Sequence, residues 1–317
     1  MMSFLKSYIK NFTAEQWNVG FILNDIEDII AGGQIKVDWI KHNYRKSWFA
    51  DPFILDVTDK EIILLVEEFY KPIGRGRISK LVIDKTSCKL IQLDVVLELP
   101  THLSFPVIIR PEDESSSFVK LIDVDYARTT EPFVYLMPEN GESGYLSVYK
   151  YYFQSNKIDI IGSVLDEPVE DAVPINIDNE IYLFCTPREN PNGNILQIFQ
   201  WSNGKRKFEK VHTLTFEENI ARMSGMFFPH NKTLVRPTQE CNTQYGHAIT
   251  LQKFQKPIDS ITSIDFKEVR RIYSVHPSLT VGSHTFNIYK GIIVTDALGF
   301  DRMWIRKMIH YCGLKKG

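Results

Sequence analysis

Polar residues that could do chemistry recur at five places, and each of them stands at the entrance of a short apolar strand. They are Asp51, Ser104, Asp171, Ser224 and His284, separated by steps of 53 to 67 residues. Carboxylate, hydroxyl and imidazole groups bind polyhydroxylated ligands and exchange protons. If the fold brings the five strand entrances together, these residues form one polar pocket.

The strands that must position these residues form five similar hairpins. Each hairpin has an apolar strand, a short polar turn and a second apolar strand, as in Phe53 to Leu55 followed by Ile62 to Val66. Short strands repeated at this long period, with no helical spacing between them, are typical of a β-propeller. We expect an all-β, five-bladed β-propeller. In such a fold the innermost strands of all blades open onto one central funnel, so the five polar residues converge.

The predicted propeller spans residues 46–298. Residues 1–45 carry mixed strand and helix signals, and we expect them to pack on the propeller, with a strand lent to the last blade as a way to close the ring. Residues 299–317 contain the clearest helical pattern, in which Phe300, Trp304 and Met308 recur every four residues. We expect this amphipathic helix to dock on its own domain, with contact to a membrane surface as the alternative.

Composition narrows the classes of function. The 317 residues include 24% charged residues and give a net charge of −2 without a basic stripe, so nucleic acid is not an expected partner. No stretch approaches the ~20 apolar residues of a membrane span, and Met1 to Asp25 lack the pattern of a signal peptide. The four cysteines lie far apart, which favours buried thiols in the cytoplasm. No metal-ligand spacing or phosphate-binding loop is present, so we expect neither a metal nor a cofactor.

Further polar residues lie near the predicted funnel. His102 precedes the second hairpin, Glu139 ends the second strand of its blade, and Arg236 occupies the matching place in the fourth blade. A carboxylate opposite a guanidinium suits an anionic or heavily hydroxylated ligand, because the guanidinium of arginine binds two oxygens at once, in a bidentate manner. The alternative is an Arg–Glu pair that closes the ring. Of Glu67 and Glu68, at most one faces the funnel, since neighbours on a strand point to opposite faces.

Each candidate also has a purely structural interpretation. Asp51 could accept only backbone hydrogen bonds at a strand start, Asp171 could be a surface charge, and His102 could cap the residues that follow. His284 could be a hydrogen-bonded core residue, and the whole set could form a closed ion-pair girdle that holds the blades together. In either case, crowded carboxylates should raise the pKa of at least one of them, with Arg236 opposing this for its nearest partner.

An ordered set of motifs resembles a known family. In chain order they are Trp48 to Phe53 (WFADPF), Val66 to Phe69 (VEEF), Gly74 to Ile78 (GRGRI), His102 to Pro106 (HLSFP), Met137 to Glu139 (MPE), Asp171, Arg236 to Gln239 (RPTQ), Tyr245-Gly246 and His284 to Asn287 (HTFN). From about Trp17 to Asp296 the chain resembles the propeller domain at the N-terminus of plant glucosamine inositolphosphorylceramide transferases. The same domain occurs in bacterial proteins fused to formyltransferase-like or glycosyltransferase modules.

That domain is similar in turn to the five-bladed propellers of glycoside hydrolase family 43 and its furanosidase relatives. The resemblance implies a general base at Asp51, in the Asp-Pro pair of the first blade. It also implies a second-blade carboxylate that tunes the acid, and a third-blade glutamate that is the acid. Here the second blade offers Ser104-Phe105-Pro106 in place of an aspartate, and the third blade offers Asp171 in place of a glutamate.

Two functions therefore stay open. The first is a carbohydrate-active propeller, a glycoside hydrolase-like enzyme acting on a glycan or sugar conjugate, with Asp51 as base and Glu139 or Asp171 as acid. In an inverting glycosidase the two carboxyl groups lie roughly 6.5 to 9.5 Å apart. Its ligand contacts would be His102, Ser104, Arg236, Gln239, Tyr245 and His284. The second is a non-catalytic sugar-binding or scaffolding module that works with a glycosyltransferase.

Overall fold

Twenty β-strands form five four-stranded antiparallel sheets in the computed structural model, which describes residues 14–112, 116–123, 125–126, 130–255 and 261–300. The sheets are the blades of a β-propeller, so the predicted fold class is confirmed. Four blades are each continuous in sequence. The fifth blade combines strands from both ends of the described chain.

The strands follow the chain blade by blade. β1 (Glu15–Ile22) and β2 (Val37–Trp39) precede the first blade. The first blade contains β3 (Ser47–Val57), β4 (Glu61–Tyr70), β5 (Arg75–Asp84) and β6 (Leu90–Leu97). The second contains β7 (Ser104–Ile109), β8 (Phe133–Glu139), β9 (Leu146–Tyr152) and β10 (Lys157–Leu165). The third contains β11 (Val169–Ile177), β12 (Glu180–Pro187), β13 (Ile195–Ser202) and β14 (Lys207–Thr215). The fourth contains β15 (Phe228–His230), β16 (Thr233–Glu240), β17 (Ala248–Phe254) and β18 (Phe266–Tyr273). β19 (Phe286–Tyr289) and β20 (Ile292–Phe300) begin the fifth.

The fifth blade closes the ring, with the strand order β19-β20-β1-β2. β1 runs antiparallel to β20, from Glu15 opposite Phe300 to Ile22 opposite Ile293. The N-terminal segment therefore supplies two strands to the last blade, where the sequence suggested that one would close the ring. Gly299 and Phe300 lie in β20 and not in the predicted C-terminal helix, and the rest of that predicted helix lies outside the described residues.

Helical structure is short in the described part of the chain. It consists of α1 (Ile26–Ile30), α2 (Ser116–Ile122) and 3₁₀ turns at Gly141–Ser143 and Ile261–Ser263. Asp25 caps α1, since its side chain accepts a hydrogen bond from the backbone N–H of Asp28 (2.8 Å). None of the described helices has the length and apolar character that crossing a membrane requires.

The core lies between the blades, where neighbouring sheets meet face to face. Phe53 of the first blade and Phe105 of the second are both buried, and their rings meet edge to face with centroids 5.0 Å apart. An aromatic pair of this kind adds about 0.5 to 1.5 kcal/mol beyond its buried area. Such contacts fix how the strand entrances of adjacent blades face one another, and those entrances carry the polar residues.

Candidate functional site

Bulges interrupt the innermost strands of the first three blades at equivalent positions. They lie at Asp51 in β3, at Phe105 in β7 and at Asp171 in β11. All three residues adopt the left-handed backbone region, with φ of 50°, 41° and 47°. This conformation costs about 1 to 3 kcal/mol per residue and is least expected for a bulky side chain such as phenylalanine. Bulges re-aim side chains, and these three occur where the innermost strands open onto the funnel.

The first bulge turns the Asp51 carboxylate into the funnel, where the residue is 4% exposed. Its Oδ2 accepts a hydrogen bond from the backbone N–H of Phe105 (3.1 Å), and its Oδ1 accepts one from the Thr285 hydroxyl (3.0 Å). The second bulge thus helps to hold the Asp51 side chain in place, because the left-handed conformation of Phe105 directs its N–H at the Asp51 carboxylate. Burial raises the pKa of Asp51, and two nearby carboxylates add to the rise while His284 opposes it.

His284 stands beside Asp51, with its Nε2 3.7 Å from Asp51 Oδ1. Its Nδ1 lies 2.6 Å from Asp296 Oδ2, and Asp296 Oδ1 accepts from the backbone N–H groups of His284 (2.9 Å) and Thr285 (3.1 Å). Trp17 of β1 stacks on the imidazole, with ring centroids 4.0 Å apart. Burial lowers the pKa of His284, but Asp296 and Asp51 outweigh burial and the net shift is upward. A protonated ring is therefore favoured next to Asp51.

The same residues are the group in the described chain that could ligate a metal. Asp51, His284 and Asp296 each offer one ligand atom, and these atoms lie within 4.8 Å of one another. However, the Asp296 oxygens face two backbone N–H donors and the imidazole Nδ1. N–H donors compete with a cation for the carboxylate oxygens. The arrangement is that of a hydrogen-bonded network and does not fit a resident metal.

The third bulge carries Asp171, which is 2% exposed. Its Oδ2 accepts hydrogen bonds from Arg222 Nε (2.6 Å) and Gln239 Nε2 (2.6 Å). Its backbone N–H donates to Glu139 Oε2 (2.9 Å) at the end of β8, and Glu139 Oε1 accepts from the Ser104 hydroxyl (3.0 Å). A single polar chain thus links the second, third and fourth blades around the funnel.

Arg222 is the cation of this half of the site. Its guanidinium nitrogens lie 2.6 Å from Asp171, 3.3 Å from Glu139 and 3.7 Å from Glu170. Burial alone would raise the pKa of Glu139, but Arg222 and hydrogen bonds outweigh it and lower this pKa to about 2. Burial and the charge of Glu139 raise the pKa of Glu170 to about 8 and that of Asp171 well above its usual range. The cluster therefore retains a proton near neutral pH, and Glu139 is not the residue that holds it.

Aromatic rings cover the network. The Trp17 ring centroid lies 6.3 Å from both Trp48 and Tyr245, and Tyr245 approaches His284 to 5.2 Å. The Arg222 guanidinium carbon lies 5.0 Å from the centroid of the Tyr245 ring. These rings limit the access of water to the carboxylates, which strengthens the electrostatic interactions beneath them.

Glu67 and His102 form a third polar pair at the funnel, where Glu67 Oε1 lies 3.1 Å from His102 Nε2. Glu68 points to the other face of β4 and binds Ser47 (2.6 Å) and Arg77 (2.9 Å). One of the two adjacent glutamates therefore faces the funnel, as the alternation of strand residues predicts.

The family whose pattern matches residues 121–293 is described as "Glucosamine inositolphosphorylceramide transferase 1, N-terminal". That match covers more than half of the 317 residues. The chain belongs to this family. Proteins named glucosamine inositolphosphorylceramide transferase 1 from Oryza sativa subsp. indica and subsp. japonica are each 23% identical over 233 residues, 71% of this chain. The chain spans 28% of the length of these curated relatives.

Solved structures with a similar chain fold include two glycoside hydrolases. One is Zg3597, a family 117 enzyme from the marine bacterium Zobellia galactanivorans, with a TM-score of 0.46, 10% identity and coverage of 96% of this chain and 99% of that chain. The other is CoXyl43, a GH43 β-xylosidase/α-arabinofuranosidase from a compost microbial metagenome. It also has a TM-score of 0.46 and 10% identity, with coverage of 82% of this chain and 93% of that chain.

Within this family member, Arg236 does not join the site, although the sequence places it at the funnel. It is 0% exposed, and its Nη1 donates to Gln252 Oε1 (2.8 Å). Gln239 is on the same strand and faces Asp171, and residues an odd number of positions apart point to opposite faces of a strand. The prediction that Arg236 rings the funnel is therefore wrong, and Arg222 takes that role.

The buried surroundings of Arg236 lead to a prediction. Arg236→Met should lower the free energy of unfolding by about 1 to 3 kcal/mol, because Gln252 Oε1 and the Ala221 carbonyl lose their donor in a dry environment. Ligand binding or turnover at the funnel should stay within about twofold of the wild type. Urea unfolding measures the first effect. A tenfold loss of binding or turnover in a folded Arg236→Met protein would show that Arg236 takes part in the site.

Sequence reasoning missed three members of the network: Arg222, Thr285 and Asp296. Arg222 stands two residues before Ser224, as His102 does before the polar residue of the second blade, and this repeated spacing was the available signal. Asp296 also gave a signal, because a carboxylate within the apolar run of β20 needs a buried partner. Ser224 itself donates to the backbone carbonyl of His284 (2.5 Å), so its role is to join the fourth and fifth blades.

Proposed function

We propose that the funnel binds and hydrolyses a glycan or sugar conjugate, with Asp51 as general base and Asp171 as general acid. The observation that carries the proposal is the pair of strained bulges, which place a left-handed aspartate at the same point of two blades. Strain of about 1 to 3 kcal/mol per residue persists only where the surrounding structure holds it, and it collects at functional sites. Here both strained aspartates face one funnel.

The two carboxyl groups have environments that suit opposite roles. Asp51 accepts hydrogen bonds from neutral donors; burial raises its pKa, which suits a base, and the cationic form of His284 opposes part of that rise. Asp171 shares Arg222 with other carboxyl groups, and burial and the charge of Glu139 raise its pKa although Arg222 opposes the rise; a raised pKa suits an acid. In hydrolysis the Asp171 proton would move to the leaving oxygen as the C–O bond breaks. A water molecule would add to the anomeric carbon and give its proton to Asp51.

Glu139 does not suit the acid role that the sequence left open for it. A pKa of about 2 keeps Glu139 ionised, and it accepts the backbone N–H of Asp171. We assign it to positioning the acid. Gln239 has the same task, since its amide binds Asp171 Oδ2. Tyr245 and His102 remain as proposed ligand contacts at the partly exposed rim.

A sugar conjugate is the broad ligand class that we infer, because the rice relatives are named transferases of glucosamine inositolphosphorylceramide. The chain spans 28% of those relatives, so a sugar-binding module that works with a glycosyltransferase is the second candidate. It is favoured by the internal hydrogen bonds of the carboxylates, since both Asp51 oxygens already accept donors from the protein. We place the protein in the cytoplasm, a compartment that suits the buried free thiols of Cys88, Cys185 and Cys241.

A screen of the wild-type protein tests the proposal. Activated aryl pyranosides and furanosides report hydrolysis by release of the aryl alcohol, and nucleotide sugars and free glycans report binding by thermal shift. Turnover of any aryl glycoside supports hydrolysis at the funnel. Thermal stabilisation by a sugar with no turnover across the panel supports the binding module, and neither response would count against both.

A further inference from the structure

Glu67 is a buried carboxyl group with an oxygen that accepts no hydrogen bond. Its side chain is 7% exposed, and Oε1 lies 3.1 Å from His102 Nε2 but outside hydrogen-bond geometry. Glu67 stands opposite Ala50 in the β3–β4 ladder, next to the bulge at Asp51. Burial raises the pKa of Glu67 to about 7; the charge of Asp51 adds to the rise, and His102 and His284 oppose it. This carboxyl group can therefore both take and release a proton near neutral pH.

His102 connects Glu67 to the solvent, since its side chain is 34% exposed. Its Nδ1 accepts the backbone N–H of Gly76 (3.0 Å), so the neutral ring carries its proton on Nε2, the nitrogen nearer to Glu67. Glu67, Glu139 and Glu142 outweigh the effect of burial and raise the pKa of His102. The N–H of Gly76 opposes a second ring proton, because it occupies the nitrogen that would receive it. The additional proton therefore belongs to the pair and not to one of the two groups alone.

Gly76 is what allows the pair to form. A Cβ atom at this position would lie 2.4 Å from the Leu103 carbonyl oxygen, 2.6 Å from Glu67 Oε1 and 2.9 Å from His102 Cε1. Leu103 N also donates to Gly76 O (3.1 Å), so the backbone that follows His102 is tied to β5. Any other residue at position 76 would push Glu67 and His102 apart.

We propose that Glu67, held by His102 and Gly76, receives the proton that Asp51 takes from water and returns it to the solvent. The proposal rests on the proposed hydrolysis, in which the buried Asp51 gains one proton in each turnover. Asp51 loses that proton to the Glu67 carboxylate, and Glu67 then releases it to water at the exposed edge of His102. Asp51 and Glu67 both end the cycle ionised, and Asp171 regains from the solvent the proton that it gave to the leaving group, so no other reactant is needed.

Nitrogen NMR of the histidine rings tests the pair without any turnover. In protein labelled with ¹⁵N-histidine, the His102 signals are assigned by their loss in His102→Gln. We expect a transition of these signals above pH 7, because Glu67 raises the pKa of His102, and this transition should move down by at least one pH unit in Glu67→Gln. Glu61→Gln is the matched control, since Glu61 lies on the same strand as Glu67 but at its far end, opposite Asp84. A transition that is the same in Glu67→Gln and in the wild type overturns the proposal.

Steady-state kinetics then test whether Glu67 accepts the proton from Asp51. In dilute buffer, Glu67→Gln should lower kcat at least tenfold with KM little changed, and imidazole buffer should restore much of the loss by carrying the proton. An unchanged kcat, or a loss that no buffer restores, contradicts the transfer. An inactive wild type refutes the proposed hydrolysis, and with it the transfer, while the NMR result still decides whether the proton-holding pair exists.

Discussion

Asp51→Asn should lower kcat/KM for a hydrolysed aryl glycoside by about 10²- to 10⁴-fold, the usual contribution of a general base. The amide has the shape of the carboxylate but cannot take a proton from water. It can still accept the Phe105 N–H through its oxygen and donate to the Thr285 hydroxyl, which hydrogen-bonds as donor or acceptor. The bulge should therefore survive, and sugar binding measured by thermal shift should stay within about threefold.

Asp56→Asn is the matched control, because Asp56 lies on the same strand, has a side chain that is 38% exposed and pairs with Lys290 (2.7 Å). It should leave both turnover and stability close to those of the wild type. Full activity in a folded Asp51→Asn protein would contradict the role of Asp51 as base. If that variant also melted several degrees lower, Asp51 would belong to a structural girdle, the alternative that the sequence left open.

The repeat of the hairpins made much of the site predictable. Asp51, Asp171 and His284 were found because each opens an innermost strand, and the propeller gathers such positions by symmetry. The prediction for Arg236 was wrong for a local reason. Successive residues of a strand point to opposite faces, so a shift of one residue reverses whether a side chain faces the funnel. The motif RPTQ contains residues of both faces of β16. The hydrogen bond from Gln239 to Asp171 shows that Gln239, and not Arg236, faces the funnel.

Contacts between the chain ends could not be derived from local patterns. Trp17 stacks on His284 because β1 pairs with β20, and that pairing joins residues at opposite ends of the sequence. The sequence suggested that a leading strand completes the last blade, but it does not give the register of that strand, which is what places Trp17 on His284. The left-handed conformation of Phe105 was equally hidden, since nothing in its residue type favours it. Its reason appears only in three dimensions, where its N–H meets Asp51.

Arg222→Met should lower the free energy of unfolding by about 3 to 5 kcal/mol at pH 8, because it leaves buried carboxylates without a counter-charge. Methionine keeps most of the volume of the side chain, so lost packing contributes little. For a domain of this size the melting temperature should fall on the order of 10 °C. Arg188→Met is the control, since Arg188 also binds Glu170 (2.5 Å) but is 41% exposed, and it should cost less than about 1 kcal/mol.

The pH dependence of the loss separates charge from packing. Without Arg222, the folded-state pKa values of Asp171 and Glu139 should rise, since the arginine opposes the effect of burial on both. A carboxyl group with a raised folded-state pKa costs stability progressively as the pH climbs from its unfolded value through the folded one. The difference between Arg222→Met and the wild type should therefore be smaller at pH 5 than at pH 8. Denaturant unfolding at both pH values measures it, and an equal difference would mean that Arg222 acts through its packing and not as the counter-charge of the funnel.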